Sequence, residues 1–242
     1  MITKNQVKYI QSLGQKKSRD AENEFIAEGP KLVNELLLAN NCRIIQLYAV
    51  PEWINDNPGS NIETIEVSKS DLKKISQLTT PNQVLAVAEK INWKEEPIVK
   101  GNISLVLDAI QDPGNMGTIV RLADWFGIKN IFCSADCADI YNSKVVQATM
   151  GSITRVRVDY IDLVPWIKNN NDIRIYATAL NGRDITKMEK LTEGIIVIGN
   201  ESQGISEEIR KFANVQITIP RKGKAESLNA AIATGIILSH LC

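Results

Sequence analysis

Three short segments in the second half of the chain carry polar side chains that could hold a ligand. They span residues 115–121, 199–204 and 219–229, and their polar members include Asn115, Arg121, Asn200, Glu201, Ser227 and Asn229. A guanidinium can bind an anion and stabilise developing charge, while amides, hydroxyls and a carboxylate can position a bound group. Each segment alone also fits a structural explanation, because glycines form tight turns and Ser or Asn caps helices.

The surroundings of these polar residues favour a shared binding site. Asn200 and Glu201 directly follow the apolar run 195–198, and Ser227 and Asn229 stand at the beginning of an otherwise apolar stretch. Polar groups beside a core usually have a partner to bind. Taken together, the three segments predict one ligand site.

Alternating strand-like and helix-like stretches predict an α/β fold with a largely parallel sheet. The expected strands are residues 25–28, 44–50, 64–67, 84–88, 103–109, 131–134, 155–158, 173–177, 195–198 and 215–219, with helices that include 30–39, 118–126 and 225–241. Ligands collect beyond the carboxyl ends of strands in such sheets, and the three polar segments are expected there.

A charged stretch with Pro and Gly at residues 92–101 interrupts this alternation. We therefore expect a small domain at residues 1–94, a linker at 95–102 and a larger domain at 103–242. The last helix carries an apolar stripe of Ile232, Ile236, Ile237 and Leu241, which could face a second copy of the chain or the chain's own core.

Composition limits the remaining possibilities. With 28 basic and 28 acidic residues, the chain cannot coat a nucleic acid through bulk charge, so any such contact must be local. One histidine and scattered cysteines argue against a metal site. No apolar run reaches the roughly 20 residues that cross a bilayer, and the polar start is unlike a signal peptide, so we expect a cytoplasmic protein.

A dinucleotide-binding fold of the Rossmann type would also alternate strands and helices. It needs a Gly-rich turn after its first strand. Neither residues 44–50 nor 103–109 precede a Gly-x-Gly-x-x-Gly pattern, which argues against that class.

The three segments closely resemble the motifs of the SpoU (TrmH) family of SPOUT RNA methyltransferases. The first is Asn115-x-Gly117-x-x-x-Arg121 and the second is Gly199-Asn200-Glu201-x-x-Gly204-Ile205-Ser206. The third is Ile219-Pro220-x-x-Gly223-x-x-Glu226-Ser227-Leu228-Asn229. Three ordered motifs over residues 103–241 are a strong signal. Ser202 stands where Gly is common in the family, and Arg221 stands where Met is common.

This resemblance implies a deep trefoil knot in the C-terminal domain and methylation of a ribose 2′-hydroxyl in structured RNA with S-adenosylmethionine, and it favours rRNA over tRNA as the substrate. It implies catalytic roles for Asn115, Arg121, Glu201, Ser227 and Asn229. It implies cofactor contacts at Thr178, Ala179, Leu180, Gly199, Asn200, Gly204, Ile219, Leu228 and Asn229. Since guanidinium groups hold their protons tightly, we interpret Arg121 as binding phosphate and 2′-oxygen rather than as a base. The family also implies a homodimer.

The N-terminal domain resembles the small α/β substrate-binding domain of many SpoU enzymes, which is similar to ribosomal proteins that bind kinked RNA. The matching sequence is Phe25-Ile26-Ala27-Glu28-Gly29-Pro30-Lys31 within residues 19–38. RNA phosphate contacts are then expected from Lys16, Lys17, Arg19, Lys31, Arg221 and Lys222, although these could form a solvated basic surface. An inactive RNA-binding ribosome-assembly factor would share the fold, but the intact motif residues argue against it.

Overall fold

The computed structural model describes residues 2–58 and 62–242, which form two compact units. Unit 1 comprises Met1–Lys94 and Asp139–Thr154, and unit 2 comprises Glu95–Ala138 and Arg155–Cys242. The sequence analysis places residues 139–154 in the C-terminal domain, whereas the structure packs them with the N-terminal one. The reason is apolar burial, since the helix Ser143–Thr149 buries Val145 and Val146 within unit 1.

Unit 1 is built on a four-stranded sheet in the order β1-β4-β2-β3. Its strands are β1 (Glu24–Glu28), β2 (Ile44–Ala49), β3 (Thr64–Glu66) and β4 (Val84–Glu89), and β4 runs antiparallel to both β1 and β2. The surrounding helices are α1 (Lys4–Ser12), α2 (Lys16–Glu22), α3 (Pro30–Leu38), α4 (Pro51–Asp56) and α5 (Lys69–Ile75). The helix α3 begins at Pro30, directly after Gly29 with φ of 90°.

Unit 2 is built on a six-stranded parallel sheet in the order β10-β8-β9-β5-β6-β7. The strands are β5 (Ile103–Asp108), β6 (Asn130–Cys133), β7 (Arg157–Tyr160), β8 (Ile175–Asp184), β9 (Gly194–Gly199) and β10 (Val215–Thr218). Almost every residue of the neighbouring strands β5 and β9 is buried, which is typical of a parallel sheet covered on both faces. The predicted α/β class with a parallel sheet is confirmed.

The helices that follow these strands are α6 (Pro113–Trp125), α7 (Ser143–Thr149), α8 (Leu163–Asn169), α9 (Glu207–Arg210) and α10 (Ala230–Leu241). Of these, α7 is the helix that packs in unit 1. Helix α6 begins at Pro113 rather than at residue 118, because Asp112 caps it and accepts from the amide of Asn115 at 2.8 Å. Helix α10 begins at Ala230 rather than at residue 225.

Candidate active site

Three side chains from separate parts of the sequence meet in one hydrogen-bonded network in unit 2. The side-chain Nδ2 of Asn115 donates to Oε1 of Glu201, and Nδ2 of Asn229 donates to Oδ1 of Asn115 at 2.7 Å. Asn115 is 8% exposed and Glu201 is half-buried. The structure therefore joins one residue from each of the three sequence motifs. Asn115 lies in the first turn of α6, although the helix predicted there begins only at residue 118.

Each member of this network is held by its own local structure. Asn229 caps α10, because its Oδ1 accepts from the amides of Ala231 at 3.0 Å and Ile232 at 3.2 Å. That leaves the Nδ2 group of Asn229 to donate to Asn115. The side chain of Asn229 therefore has two functions, one in the helix and one in the network.

The loop after β9 is fixed by Asn200. Its Oδ1 accepts from the amides of Ser202 at 2.9 Å and Gln203 at 3.1 Å, and its Nδ2 donates to the carbonyl of Ala109 at 2.9 Å. A side chain at Gly199 would clash, since its Cβ would lie 2.3 Å from the carbonyl carbon of Gly204. The loop is thus folded tightly on itself, and this holds Glu201 next to Asn115.

Arg121 and Ser227 lie outside this network. Both side chains are exposed, and among residues 2–58 and 62–242 neither has a hydrogen-bond partner or ion pair. Six helical positions separate Arg121 from Asn115, which is about one and two-thirds turns and points the two side chains in different directions. Arg121 is therefore free to contact a substrate.

Three of the residues expected to contact the cofactor, Thr178, Ala179 and Leu180, lie in an excursion of β8. Ala177 pairs with Gln216 but the next pair along the ladder is Arg183 with Ile217, so residues 178–182 leave the ladder. The hydroxyl of Thr218 donates to the carbonyl of Leu180 at 3.1 Å and ties this excursion to the end of β10. Leu180 and Leu228 are 73% and 45% exposed, so both side chains are accessible to a bound group.

The six residues expected to bind RNA differ in accessibility. Lys16, Lys17, Lys31 and Lys222 are exposed, and Arg221 donates to the carbonyl of Ala225 at 3.1 Å. Arg19 is only 2% exposed. Its Nη2 pairs with Asp139 at 2.6 Å and its Nη1 donates to two backbone carbonyls, so the expected phosphate contact of Arg19 is wrong.

The sequence analysis missed Asp108, the last residue of β5. It is 7% exposed, and its Oδ2 accepts from the amide of Ser206 at 2.7 Å. An acidic residue that ends an apolar strand was the available signal, because buried carboxylates need partners.

The part of the chain that the structure describes contains no group of three or more His, Cys, Asp or Glu side chains suited to a metal ion. None of its helices is both long and apolar enough to cross a membrane.

Comparison with known proteins supports the geometry. Residues 102–239 match the model of the SpoU rRNA methylase family, and residues 4–86 match the MRM3-like substrate binding domain. The chain therefore belongs to the SpoU rRNA methylase family, which confirms the resemblance drawn from the three motifs.

Three similar proteins illustrate the match. The 23S rRNA (guanosine(2553)-2′-O)-methyltransferase of Bacillus subtilis is 30% identical, with 98% of this chain and 96% of the relative aligned. A TrmH-family protein from Porphyromonas gingivalis has a TM-score of 0.86 at 37% identity, covering 99% of this chain and 98% of that one. An AdoMet-bound rRNA methyltransferase from Sinorhizobium meliloti has a TM-score of 0.85 at 31% identity, covering 99% and 95%.

Proposed function

We propose that this protein methylates a ribose 2′-hydroxyl of rRNA with S-adenosylmethionine as methyl donor. The observation that carries the proposal is the network of Asn115, Glu201 and Asn229, which joins the three family motifs in one place. Arg121, on the same helix as Asn115, is exposed and unpaired among the described residues, which leaves it available for RNA. Membership of the SpoU rRNA methylase family and the 2′-O-methyltransferase among its relatives support the same conclusion.

The residues around the β8 excursion fit the cofactor. Exposed apolar side chains of Leu180 and Leu228 suit an adenine ring, and the backbone of Thr178, Ala179 and Ile219 offers polar groups to the rest of the molecule. The main chain at Gly199 lies close to that of Gly204, so a side chain at position 199 would disturb the loop after β9. When bound there, S-adenosylmethionine supplies an electrophilic methyl group.

The protein's own residues then have to bind and activate the ribose. A hydroxyl is a weak nucleophile, so negative charge must be stabilised on the 2′-oxygen as it reacts. Arg121 binds the neighbouring phosphate and the 2′-oxygen, since a guanidinium can donate to both at once. Asn115, Glu201 and Asn229 hold the loops around the ribose, and Ser227 completes the polar lining.

Unit 1 serves as the RNA-binding part. Its match to a substrate binding domain and its exposed Lys16, Lys17 and Lys31 support this role. In unit 2, the exposed residues Arg221 and Lys222 add positive charge within the third motif. The last segments of unit 2 thread through a loop and form a deep trefoil knot.

The protein acts as a homodimer. On α10, Ile237 and Leu241 are buried in the chain's own core, but Ile232 is 58% exposed, and Trp125 on α6 is 83% exposed. A second copy would cover these apolar side chains. Light scattering should give twice the mass of one chain, and a monomer would contradict the dimer.

Mapping of 2′-O-methyl groups tests the function directly. Total RNA from cells with and without the gene should differ in 2′-O-methylation at one site of the large-subunit rRNA. We expect the protein to act in the cytoplasm. Purified protein with S-adenosylmethionine should restore that methyl group on the unmodified RNA. Unchanged maps and no transfer in vitro would refute the proposal.

A further inference from the structure

A small pocket of about 290 Å³ lies at the carboxyl edge of the unit 2 sheet, where the loop after β9 forms part of its wall. Its walls include Asp108 at the end of β5, Asn200 in the loop after β9, and Ser206 and Arg210 at α9. Asn200 is followed by Glu201, which binds Asn115. The pocket and the proposed catalytic network are therefore formed by the same loop.

The pocket contains a buried carboxylate with a free oxygen. Oδ2 of Asp108 accepts from the amide of Ser206 at 2.7 Å, but none of the described residues donates to Oδ1. Asp108 is only 7% exposed. Buried acceptors without donors are costly, so Oδ1 is suited to an N–H group supplied by a ligand.

The charges of the pocket argue against a phosphate there. Its lining includes the carboxylates of Asp108, Asp136 and Glu207, against the guanidinium of Arg210. Arg210 already donates from Nη2 to the carbonyl of Ile205 at 2.8 Å. An anion would be repelled, whereas a neutral group with N–H donors and a carbonyl would be bound.

We propose that this pocket receives the base of the methylated nucleotide and that Asp108 selects a ring N–H beside a carbonyl, as in guanine or uracil. The remaining N–H groups of Arg210 donate to that carbonyl. Adenine and cytosine carry a ring acceptor at the corresponding position, so they would face the carboxylate with a lone pair. This inference rests on the proposed function, because it assigns the base of the same substrate.

The variant Asp108→Asn tests whether Asp108 recognises the base or only supports the local structure. Its side-chain oxygen can still accept from the Ser206 amide, while an NH₂ group replaces the free oxygen. Transcripts of the mapped RNA region would carry G, U, A or C at the target. The wild type should prefer G or U by at least about tenfold in kcat/KM, and the variant should shift that ratio by at least about tenfold toward A or C.

Two outcomes of this experiment would overturn the inference. One is a wild type that methylates all four transcripts equally, and the other is a variant that slows all four by the same factor, as a purely structural role predicts. Glu208→Gln, an exposed change on the same helix α9, serves as the matched control and should keep the wild-type ratio.

A binding measurement tests the pocket without methyl transfer. Protein saturated with S-adenosylhomocysteine is titrated with GMP, UMP, AMP or CMP while the Ser206 amide is followed by NMR. GMP and UMP should change the chemical shift of the Ser206 amide, whereas AMP and CMP should not. The substitution Asp108→Asn should abolish these changes. The assignment of this pocket to the base would be refuted by equal shifts with all four nucleotides or by no shift with any of them. Displacement of S-adenosylhomocysteine would also refute it. Failure of wild-type methylation on every RNA would instead count against the proposed function.

Discussion

Asn229 donates a 2.7 Å hydrogen bond from its Nδ2 to Oδ1 of Asn115, across a sequence separation of 114 residues. Through this bond the N-terminus of the last helix is fixed to the first turn of α6. Asn115 in turn donates from its Nδ2 to Oε1 of Glu201 in the loop after β9. Small changes in any of the three loops are therefore expected to disturb the other two.

Substitutions at Asn229 should separate its two functions. Asn229→Asp keeps an oxygen for the amides of Ala231 and Ile232 but loses the donor to Asn115. We expect near wild-type stability and a loss of about 100-fold in kcat, because the ribose site loses its positioning. Asn229→Ala should lose activity and also about 1 kcal/mol of stability, since the cap is removed. Urea denaturation and methyl transfer assays measure both effects, and a fully active Asn229→Asp would contradict the network's role.

Arg121→Ala should fold normally and bind S-adenosylmethionine like the wild type, because the side chain is exposed and has no partner among the described residues. Methyl transfer should fall by about 10³-fold, since charge stabilisation at the 2′-oxygen is lost. Arg121→Lys should restore little, as an ammonium cannot donate in a fork to two acceptors.

Calorimetry with S-adenosylmethionine and single-turnover methylation test the Arg121 variants. Lys129→Ala removes another exposed cation of unit 2 and serves as the control. Arg121 would lose its assigned role if Arg121→Ala turned over at the rate of Lys129→Ala.

Arg19→Ala should act on stability rather than on RNA binding. It would leave the Asp139 carboxylate with only the Tyr141 amide as donor, and two carbonyls without their donor, at a cost of about 3–5 kcal/mol. Arg43→Ala breaks an exposed ion pair with Glu89 and should cost under about 1 kcal/mol. The double change Lys16→Ala and Lys17→Ala should keep stability but weaken RNA binding and flatten its salt dependence. Thermal melts and filter binding at several salt concentrations distinguish these variants.

Glu28 should make unit 1 more stable under acidic conditions. Burial raises the pKa of its carboxyl above the ordinary value, although hydrogen bonds from Ser76 and the Gln77 amide oppose this. The folded state thus keeps the proton at a pH where the unfolded state has lost it. This contribution is complete below the unfolded pKa and disappears as pH rises through the folded one.

Glu28→Gln tests this dependence, because it keeps an acceptor for the Gln77 amide at 2.8 Å and has no charge to bury. We expect it to raise the free energy of unfolding at neutral pH by about 1 kcal/mol. The measurement is urea denaturation across the acidic range. A variant with the same pH profile as the wild type would show that Glu28 does not titrate differently on folding.

The sequence predicts the alternation of strands and helices well, but it predicts poorly where irregular segments end. The strand at 173–177 is longer in the structure, because β8 resumes at Arg183 after its excursion and runs to Asp184. No local pattern reveals this, since the pairing partner Ile217 lies far along the chain. The late start of α10 has a similar origin, because Asn229 is fixed by Asn115.

The candidate site shows the same limit. The resemblance to the family motifs was sufficient to select Asn115, Glu201 and Asn229, which the structure joins. Charge patterning was not sufficient for Arg19, because a basic residue near lysines looks the same whether it faces solvent or a buried Asp139. Asp108 ends an apolar strand, which was a signal in the sequence, but that pattern does not show that one carboxylate oxygen lacks a donor among the described residues.

The packing of residues 139–154 with unit 1 affects how the protein can be dissected. The backbone crosses between the two units at 94/95, 138/139 and 154/155. A fragment cut after Lys94 would lack the ring of Tyr141, whose centroid lies 5.0 Å from that of Phe25, together with the buried side chains of α7. The complementary fragment would carry those apolar groups with nothing to cover them. Swapping RNA-recognition parts between relatives therefore requires transplanting two discontinuous stretches of polypeptide together.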